Sequence, residues 1–186
     1  MRSIRLSPYR AELLKQVKGN ILEIGFGTGA NLVYYPSFVK NITTIEPNDA
    51  MKVHRKESTP QVNCVVGFAE NLPFEGETFD TVVSTFTLCS VGNVSTVLKE
   101  INRVLRPSGE FIFLEHGLAQ GYRVSKWQNR LNTLSKTLAD GCNLNRDFEK
   151  ELNNSKLLTT RLEKFFAKGY PITHGYFYSG VARKAS

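Results

Sequence analysis

The sequence predicts an open, twisted α/β sheet that is mostly parallel, carries an antiparallel hairpin at its C-terminal end and has helices on both faces. Short apolar runs alternate with helical segments through residue 115, which is typical of βαβ units and a parallel sheet. Two further β-rich runs then follow each other closely, which favours an antiparallel hairpin at one sheet edge. The length of 186 residues suits a single domain spanning residues 1–186.

Apolar and β-rich runs predict seven strands. The first, Ile21-Leu-Glu-Ile24, is a short apolar run, and the later ones are rich in Val, Ile, Thr and Phe. Turn-forming residues interrupt the chain at 25–29, 47–48 and 106–109. The predicted strands lie at residues 21–24, 41–46, 62–67, 79–85, 110–115, 157–166 and 173–184.

Helices are predicted between these strands. Val94, Val97, Leu98 and Ile101 recur at the spacing of an amphipathic helix over residues 94–105. The stretch around residues 120–153 is too small for a second domain, and we expect it to form a small helical cap over the strand ends. The other helical segments are predicted at residues 8–17, 30–35, 49–56, 120–139 and 146–153.

Composition and cysteine usage narrow the functional classes. Hydrophobic residues make up 41% of the chain, which is a globular rather than a disordered composition. No run approaches the ~20 apolar residues of a membrane span, and the charged N-terminus lacks the apolar core of a signal peptide. Three scattered cysteines suit neither a disulfide framework nor a zinc site, so we expect a cytoplasmic protein without a metal.

The formal net charge of +7 leaves room for a nucleic-acid or anionic-lipid partner. The basic residues are scattered rather than gathered in one block, which favours a solvated basic surface. We therefore expect a small-molecule partner rather than nucleic acid, and a monomer or weak homodimer.

A glycine-rich loop follows the first predicted strand and reads Glu23-Ile-Gly25-Phe-Gly27-Thr-Gly29. Glycines at this position let the backbone pass close under a ligand, with the start of a helix behind it. Gly25, Gly27 and Ala30 also satisfy the G-x-G-x-x-G/A pattern of dinucleotide-binding folds, so NAD is a competing cofactor.

Two acidic residues bear on the choice of cofactor. Glu46 ends the second strand, roughly 20 residues after the first glycine, where a carboxylate accepts hydrogen bonds from ribose hydroxyls. This feature fits NAD and S-adenosylmethionine equally. Glu23 lies two residues before the loop, where its charge disfavours a diphosphate and suits a cofactor with a cationic amino end. Its alternative role is that of a structural carboxylate.

Further motifs follow in a fixed order. The segment Gly67-Phe-Ala-Glu-Asn-Leu-Pro-Phe74 comes after the third strand, the fourth strand reads Phe79-Asp-Thr-Val-Val-Ser-Thr85, and Leu105-Arg-Pro-Ser-Gly109 precedes the fifth. With the glycine loop and the strand-two acid, this order resembles that of the class I S-adenosylmethionine-dependent methyltransferases. It is most similar to their small-molecule group called methyltransferase type 11. The resemblance covers residues 20–116 well and the rest loosely.

The resemblance implies a Rossmann-like fold, S-adenosylmethionine as cofactor with S-adenosylhomocysteine as product, and a small-molecule methyl acceptor. It implies that Glu46 holds the ribose, that Pro47 and Met51 lie beside the adenine, and that Ala69 and Glu70 meet the adenine edge.

At the other end of the cofactor, the resemblance implies that Glu23, Gly25, Gly27 and Gly29 line the methionine end. Thr85 is expected under the sulfonium.

Three segments are similar to the methyltransferase-like thiol methyltransferases, which act on small alkyl thiols: Leu88-Cys-Ser-Val91, Glu115-His116 and Asp140-Gly-Cys142. The chain departs from that group by having Phe26 where it usually has Cys and Glu46 where it has Asp. It also shows no counterpart of the hydrophobic N-terminal anchor of the animal members. The resemblance implies a thiol or similar soft nucleophile as acceptor.

Few residues are candidates for the chemistry itself. His116 follows the fifth strand and is our candidate for a general base or a substrate-orienting group, with Glu115 as a residue that either orients it or is satisfied structurally. Cys89 is either a small buried hydrophobe or part of the pocket. Tyr9 and Arg10 in the first helix either close over the cofactor or serve packing.

Three other functions stay open at this point. A nucleic-acid methyltransferase acting on RNA suits the charge, but residues 85–88 read Thr-Phe-Thr-Leu and lack the Asn/Asp-Pro-Pro-aromatic tetrad that grips an exocyclic base nitrogen. A non-catalytic S-adenosylmethionine-binding module would keep the same loop and acid. An NAD-dependent oxidoreductase would satisfy the glycine pattern.

Overall fold

The computed structural model describes residues 4–48, 59–138 and 141–185. Its strands are β1 Ile21–Ile24, β2 Asn41–Glu46, β3 Gln61–Val66, β4 Phe79–Thr85, β5 Leu105–His116, β6 Leu157–Phe166 and β7 Tyr176–Lys184. They form a seven-stranded sheet of order β3-β2-β1-β4-β5-β7-β6. The neighbours among β1 to β5 (β3–β2, β2–β1, β1–β4 and β4–β5) all pair in parallel, whereas β7 runs antiparallel to both β5 and β6. The predicted sheet with its C-terminal hairpin is confirmed.

The helices largely follow the predicted segments. They are α1 Ser7–Leu14, α2 Val94–Val104, α3 Tyr122–Leu138 and α4 Phe148–Asn153. The segment 30–35 was expected to start a helix, but it forms only a 3₁₀ turn, Leu32–Tyr34. Pro36 explains the difference, because the residue before a proline is driven out of helical geometry, and Tyr35 is extended with ψ 136°. The helix predicted at 49–56 lies outside the described residues.

Two apolar layers cover the two faces of the sheet. Successive β5 side chains alternate between them, so Phe111 and Phe113 join one layer while Ile112 and Leu114 join the other. The first layer contains the buried faces of α2 and α4, and the second contains α1 and the 3₁₀ turn. Helices therefore cover both faces, as predicted.

The turn predicted at 106–109 lies inside β5. Leu105 pairs with Phe79, and the next paired position on β5 is Glu110, opposite Thr81. Residues 106–109 thus bulge out of the ladder, and Ser108 takes a left-handed φ of 61°. The local turn chemistry was identified correctly, but the strand continues on both sides of it.

Polar contacts tie helix α3 to the segments that follow β5 and precede β7. The buried Gln128 side chain accepts a hydrogen bond from the Ala119 N–H (2.8 Å) and donates to the carbonyls of Gly117 (3.0 Å) and Thr173 (3.2 Å). Within residues 4–48, 59–138 and 141–185, no helix is both long and apolar enough to cross a bilayer. The role of residues 120–153 as a cap stays a prediction.

Candidate active site

A cleft opens where the strand order reverses. The chain builds β1, β2 and β3 outward in one direction and then returns to place β4 on the other side of β1. In open α/β sheets, ligands bind at the carboxyl ends of the strands at such a switch point. The cleft has a volume of about 490 Å³, which is in the range of small-molecule sites.

The structure brings most of the predicted cofactor residues together around this cleft. Gly29 belongs to the same loop without lining the cleft, and its N–H closes the turn onto the Phe26 carbonyl at 3.0 Å. His116 lies outside the lining, and Met51 is outside the described residues. The predicted residues that line the cleft are Glu23, Gly25, Gly27, Glu46, Pro47, Ala69, Glu70 and Thr85.

The backbone of the glycine loop is left-handed at three positions, a conformation that is strained for residues with a side chain. Gly25, Gly27 and Gly29 have φ values of 70°, 53° and 74°. Gly25 is constrained a second time, because a Cβ built there would lie 2.0 Å from Thr87 Oγ1 and 2.7 Å from Thr87 Cβ. The loop therefore passes directly against the segment that follows β4.

Glu46 and the glycine loop position each other. The carboxylate accepts the Gly27 N–H at Oε2 (3.0 Å) and the Asn48 N–H at Oε1 (3.3 Å). A carboxylate oxygen has more than one lone pair, so both oxygens keep acceptor capacity toward the cleft. The side chain is half-exposed, as a group that meets a ligand hydroxyl must be.

Glu23 lies at the floor of the cleft and is 2% exposed. Its oxygens accept hydrogen bonds from Asn31 Nδ2 (3.0 Å) and the Tyr35 hydroxyl (2.7 Å). Burial raises the pKa of Glu23 to about 7, although these two hydrogen bonds and the nearby Arg10 oppose the shift. The carboxyl group therefore titrates near neutral pH.

Asn31, which was not predicted, links three groups of the site. Its Nδ2 donates to Glu23 and to Thr85 Oγ1 (3.0 Å), and its Oδ1 accepts from the Arg10 guanidinium. Its position shortly after the glycine loop was the available signal. The amide matters because it can donate and accept at once.

The predicted roles of Arg10 and Tyr9, closing over the cofactor or packing, differ between the two residues. Its buried guanidinium lines the cleft, donates to Thr85 Oγ1 (2.9 Å) and lies 5.0 Å from the centre of the Phe86 ring. Tyr9 instead stacks on Phe165 at 4.1 Å between ring centres and serves packing. Of this pair, Arg10 is the one at the site.

Glu70 shapes the opposite rim of the cleft. Its Oε1 accepts the N–H groups of Gly92 (3.0 Å) and Asn93 (3.5 Å). Asn93 is also the N-cap of α2 and accepts the Thr96 N–H. The loop after β3 is thereby tied to the start of α2, with the buried Ala69 beside it.

Glu115 is satisfied structurally and does not orient His116. It is fully buried and accepts hydrogen bonds from Ser84 Oγ (2.7 Å), the Thr87 N–H (3.2 Å) and the Cys89 N–H (3.3 Å). Burial raises the pKa of Glu115 to about 7 against these hydrogen bonds. The residue thus holds the segment after β4 in place.

His116 has a different partner. Its Nδ1 lies 3.7 Å from Cys142 Sγ, while Nε2 has no hydrogen-bond partner among the described atoms. Cys142 also contacts Cys89, which is buried as expected for a small apolar residue. A contact between residues so far apart in the chain leaves no local signal in the sequence.

The raised pKa of Glu115 predicts a pH-dependent effect of the Glu115→Gln substitution. A carboxyl whose folded pKa exceeds its unfolded value favours the folded state at low pH, and this contribution disappears as the pH rises through about 7. Relative to the wild type, Glu115→Gln should therefore gain about 2 kcal/mol in free energy of unfolding between pH 5 and pH 8. Urea denaturation at both pH values measures this difference.

Glu75→Gln provides the matched control, because Glu75 is exposed. Its free energy of unfolding should differ from the wild type by the same amount at both pH values. If the difference between Glu115→Gln and the wild type is also the same at pH 5 and pH 8, Glu115 is ionised throughout this range.

Comparisons with known proteins are consistent with the site. A family model described as a methyltransferase domain matches residues 22–113. The chain is 31% identical to thiol S-methyltransferase TMT1B of Rattus norvegicus, over 86% of this chain and 71% of that protein. It is 36% identical to thiol S-methyltransferase TMT1A of Homo sapiens, over 78% of this chain and 63% of that protein.

A solved structure of the same fold is a complex with S-adenosylmethionine. Geranyl diphosphate methyltransferase in complex with S-adenosylmethionine superposes with a TM-score of 0.69 at 15% identity, over 96% of this chain and 84% of that one. At this identity the likeness concerns the fold alone.

Proposed function

Because the chain belongs to the class I S-adenosylmethionine-dependent methyltransferases, we propose that it transfers the cofactor's methyl group to a small thiol. The observation that carries the acceptor class is the likeness to thiol S-methyltransferases, which extends over 86% of the chain. That span exceeds the part occupied by the cofactor motifs. The chain spans 71% and 63% of the lengths of these two relatives.

The charges of the cleft support this cofactor over a dinucleotide. Among the described lining residues are the carboxyl groups of Glu23, Glu46 and Glu70 and the guanidinium of Arg10. A diphosphate would meet mainly like charge there. A cofactor with a cationic sulfonium, an ammonium and one carboxylate suits this set of groups.

We assign the residues to the two ends of the cofactor on this basis. Glu46 would accept hydrogen bonds from the ribose hydroxyls, because its oxygens are fixed by the Gly27 and Asn48 N–H groups. Pro47 and Ala69 would flank the adenine, and Glu70 would lie at its edge.

At the methionine end, Glu23 and the loop of Gly25, Gly27 and Gly29 would face the amino group. Arg10 is the basic group that would pair with the carboxylate, and Thr85, which Arg10 contacts, would lie under the sulfonium. Asn31 would fix the side chains of Arg10 and Glu23 relative to each other, because it is hydrogen-bonded to both.

The cofactor supplies a methyl group already activated on a sulfonium, so the chain's own residues mainly align the acceptor and exclude water. Alignment of reacting groups contributes up to roughly 7–11 kcal/mol to lowering a barrier. A thiol is a few per cent ionised near pH 7, so modest assistance to its deprotonation suffices.

His116 is the group that we assign to this deprotonation. Its Nε2 is buried and without a partner among the described atoms, and it would accept the proton of the acceptor thiol. The His116 ring is 5.6 Å from the Phe177 ring, which is 5.4 Å from the Phe86 ring on the cleft wall. An acceptor next to Phe86 would therefore lie on the side of the site where His116 is found.

A turnover screen tests the proposal. Release of S-adenosylhomocysteine is measured with panels of small alkyl thiols, amines and phenols at equal concentration. We expect turnover with thiols to exceed that with amines and phenols, because only the thiol is appreciably ionised near neutral pH. Faster turnover with an amine or phenol would contradict the acceptor class, and binding without any turnover would favour a non-catalytic binding module.

His116→Ala, tested on the best thiol, is the accompanying variant. Loss of a general base lowers the rate by roughly 10²-fold at pH 7. The deficit should shrink toward pH 9, where the thiol ionises without help. A deficit that does not change with pH would assign His116 a structural role.

A further inference from the structure

Two cysteines from distant parts of the chain lie side by side next to the cleft. Cys89 follows β4, and Cys142 precedes α4. Their segments are joined by the neighbouring Asn143, whose backbone N–H (2.8 Å) and Nδ2 (3.0 Å) both donate to the Cys89 carbonyl. The two thiols contact each other, and Cys89 Sγ is 3.7 Å from Oγ of Ser90, which lines the cleft.

The two thiols have opposite properties. Cys89 is 3% exposed, and its contact with Cys142, together with burial, raises its pKa. Cys142 is partly exposed, and its contacts with Cys89 and with His116 lower its pKa to about 5. His174 also faces Cys142, and the Arg146 guanidinium lies close enough to both cysteines to interact with their charge. At neutral pH the pair holds an accessible thiolate next to a buried thiol.

This arrangement matches that of a redox pair rather than a metal site. In the part of the chain that the structure describes, no three His, Cys, Asp or Glu side chains are grouped so that they could hold a metal ion. Reactive pairs of cysteines combine an accessible thiolate of low pKa with an adjacent resolving thiol. The paired backbones at Cys89 and Asn143 keep the second thiol within reach of the first.

We propose that Cys89 and Cys142 are a redox-active dithiol, in which Cys142 reacts with low-molecular-weight disulfides and Cys89 then closes an intramolecular disulfide. This proposal does not depend on the identity of the methyl acceptor.

The reaction is a pair of thiol–disulfide exchanges. The Cys142 thiolate attacks one sulfur of the small disulfide, whose S–S bond breaks and releases one small thiolate. Cys89 then attacks Cys142 Sγ in the mixed disulfide, its proton passes to solvent or to the leaving group, and the second small thiolate departs. The two cysteines are oxidised by two electrons, and the small disulfide is reduced to two thiols.

Incubation with oxidised glutathione, followed by thiol titration and peptide mass mapping, tests the pair. The wild type should fall from three free thiols, Cys64, Cys89 and Cys142, to Cys64 alone, with a disulfide-linked peptide pair containing Cys89 and Cys142. Cys89→Ser should stop at a glutathione adduct on Cys142. Cys142→Ser should leave Cys89 unmodified.

Cys64→Ser is the matched control, because Cys64 is exposed on β3 and away from the pair, and it should form the same disulfide as the wild type. Glutathione on Cys64 before Cys142, or a disulfide that includes Cys64, would overturn the proposal.

A second measurement needs no variant. At about pH 5.5, iodoacetamide should alkylate Cys142 on the order of tenfold faster than free glutathione, because its much larger thiolate fraction outweighs the lower nucleophilicity of a more acidic thiol. Alkylation no faster than that of glutathione would also overturn the proposal.

Discussion

Gly25→Ala is expected to lower the free energy of unfolding by about 3 kcal/mol and to abolish binding of S-adenosylhomocysteine. Gly25 has a φ of 70°, where an alanine is strained, and the added methyl would lie 2.0 Å from Thr87 Oγ1. Relief of the overlap requires a shift of the loop or of Thr87, and both line the cleft. Urea denaturation and calorimetric titration measure the two effects.

Two further variants separate the steric part from general effects of alanine. Gly121→Ala is the control, because a Cβ there meets nothing within 4 Å, and it should leave stability and binding unchanged. Gly25→Ala combined with Thr87→Ala removes the Thr87 Oγ1 and Cγ2 contacts and should be less destabilised than the sum of its single changes. Strict additivity of the two changes would show that the overlap with Thr87 is not the cause.

Glu46→Gln is expected to weaken the binding of S-adenosylhomocysteine by about 10- to 100-fold, since hydrogen bonds to a charged group contribute about 1.5–3 kcal/mol. The side chain keeps its shape but loses its charge and one acceptor oxygen. Thermal stability should fall modestly, because the amide can accept only one of the two N–H groups, of Gly27 and Asn48, that the carboxylate accepts. Isothermal titration calorimetry gives the dissociation constants.

Glu46→Asp is the matched control, because it keeps a carboxylate on a side chain that is one methylene shorter. It should retain more affinity than Glu46→Gln. Equal affinity of Glu46→Gln and the wild type would remove Glu46 from the ribose site. Tight binding of NAD by the wild type would contradict the assignment of the whole cleft.

The strands could be predicted because each carries its signal within a few residues. Ile21–Ile24 and Asn41–Glu46 were located to the residue, since apolar or β-branched runs there end at a glycine or proline. The failures have a local physical origin too. Pro36 ends the helical turn expected to continue over 30–35. The fifth strand begins at Leu105 rather than at residue 110, because Leu105 pairs with Phe79 before the turn at 106–109.

The cofactor side of the site was accessible to sequence reasoning, and the acceptor side was less so. The glycine loop and Glu46 are linked by the fixed geometry of consecutive strand, loop and strand, so their meeting follows from the fold class. The contact of Cys142 with Cys89 and His116 instead depends on how the chain after β5 returns over the sheet. That path is set by tertiary contacts such as those of Gln128, which leave no periodic signal in the sequence.

The position of β7 has a consequence for synthesis on the ribosome. β7 follows β6 along the chain but lies between β6 and β5 in the sheet. While residues 176–184 are still being made, β5 presents an unpaired edge and β6 lacks the neighbour that would attach it to the sheet. Such open edges are sites of incorrect association between nascent chains. The seven-stranded sheet is therefore complete only when β7 has paired with both β5 and β6.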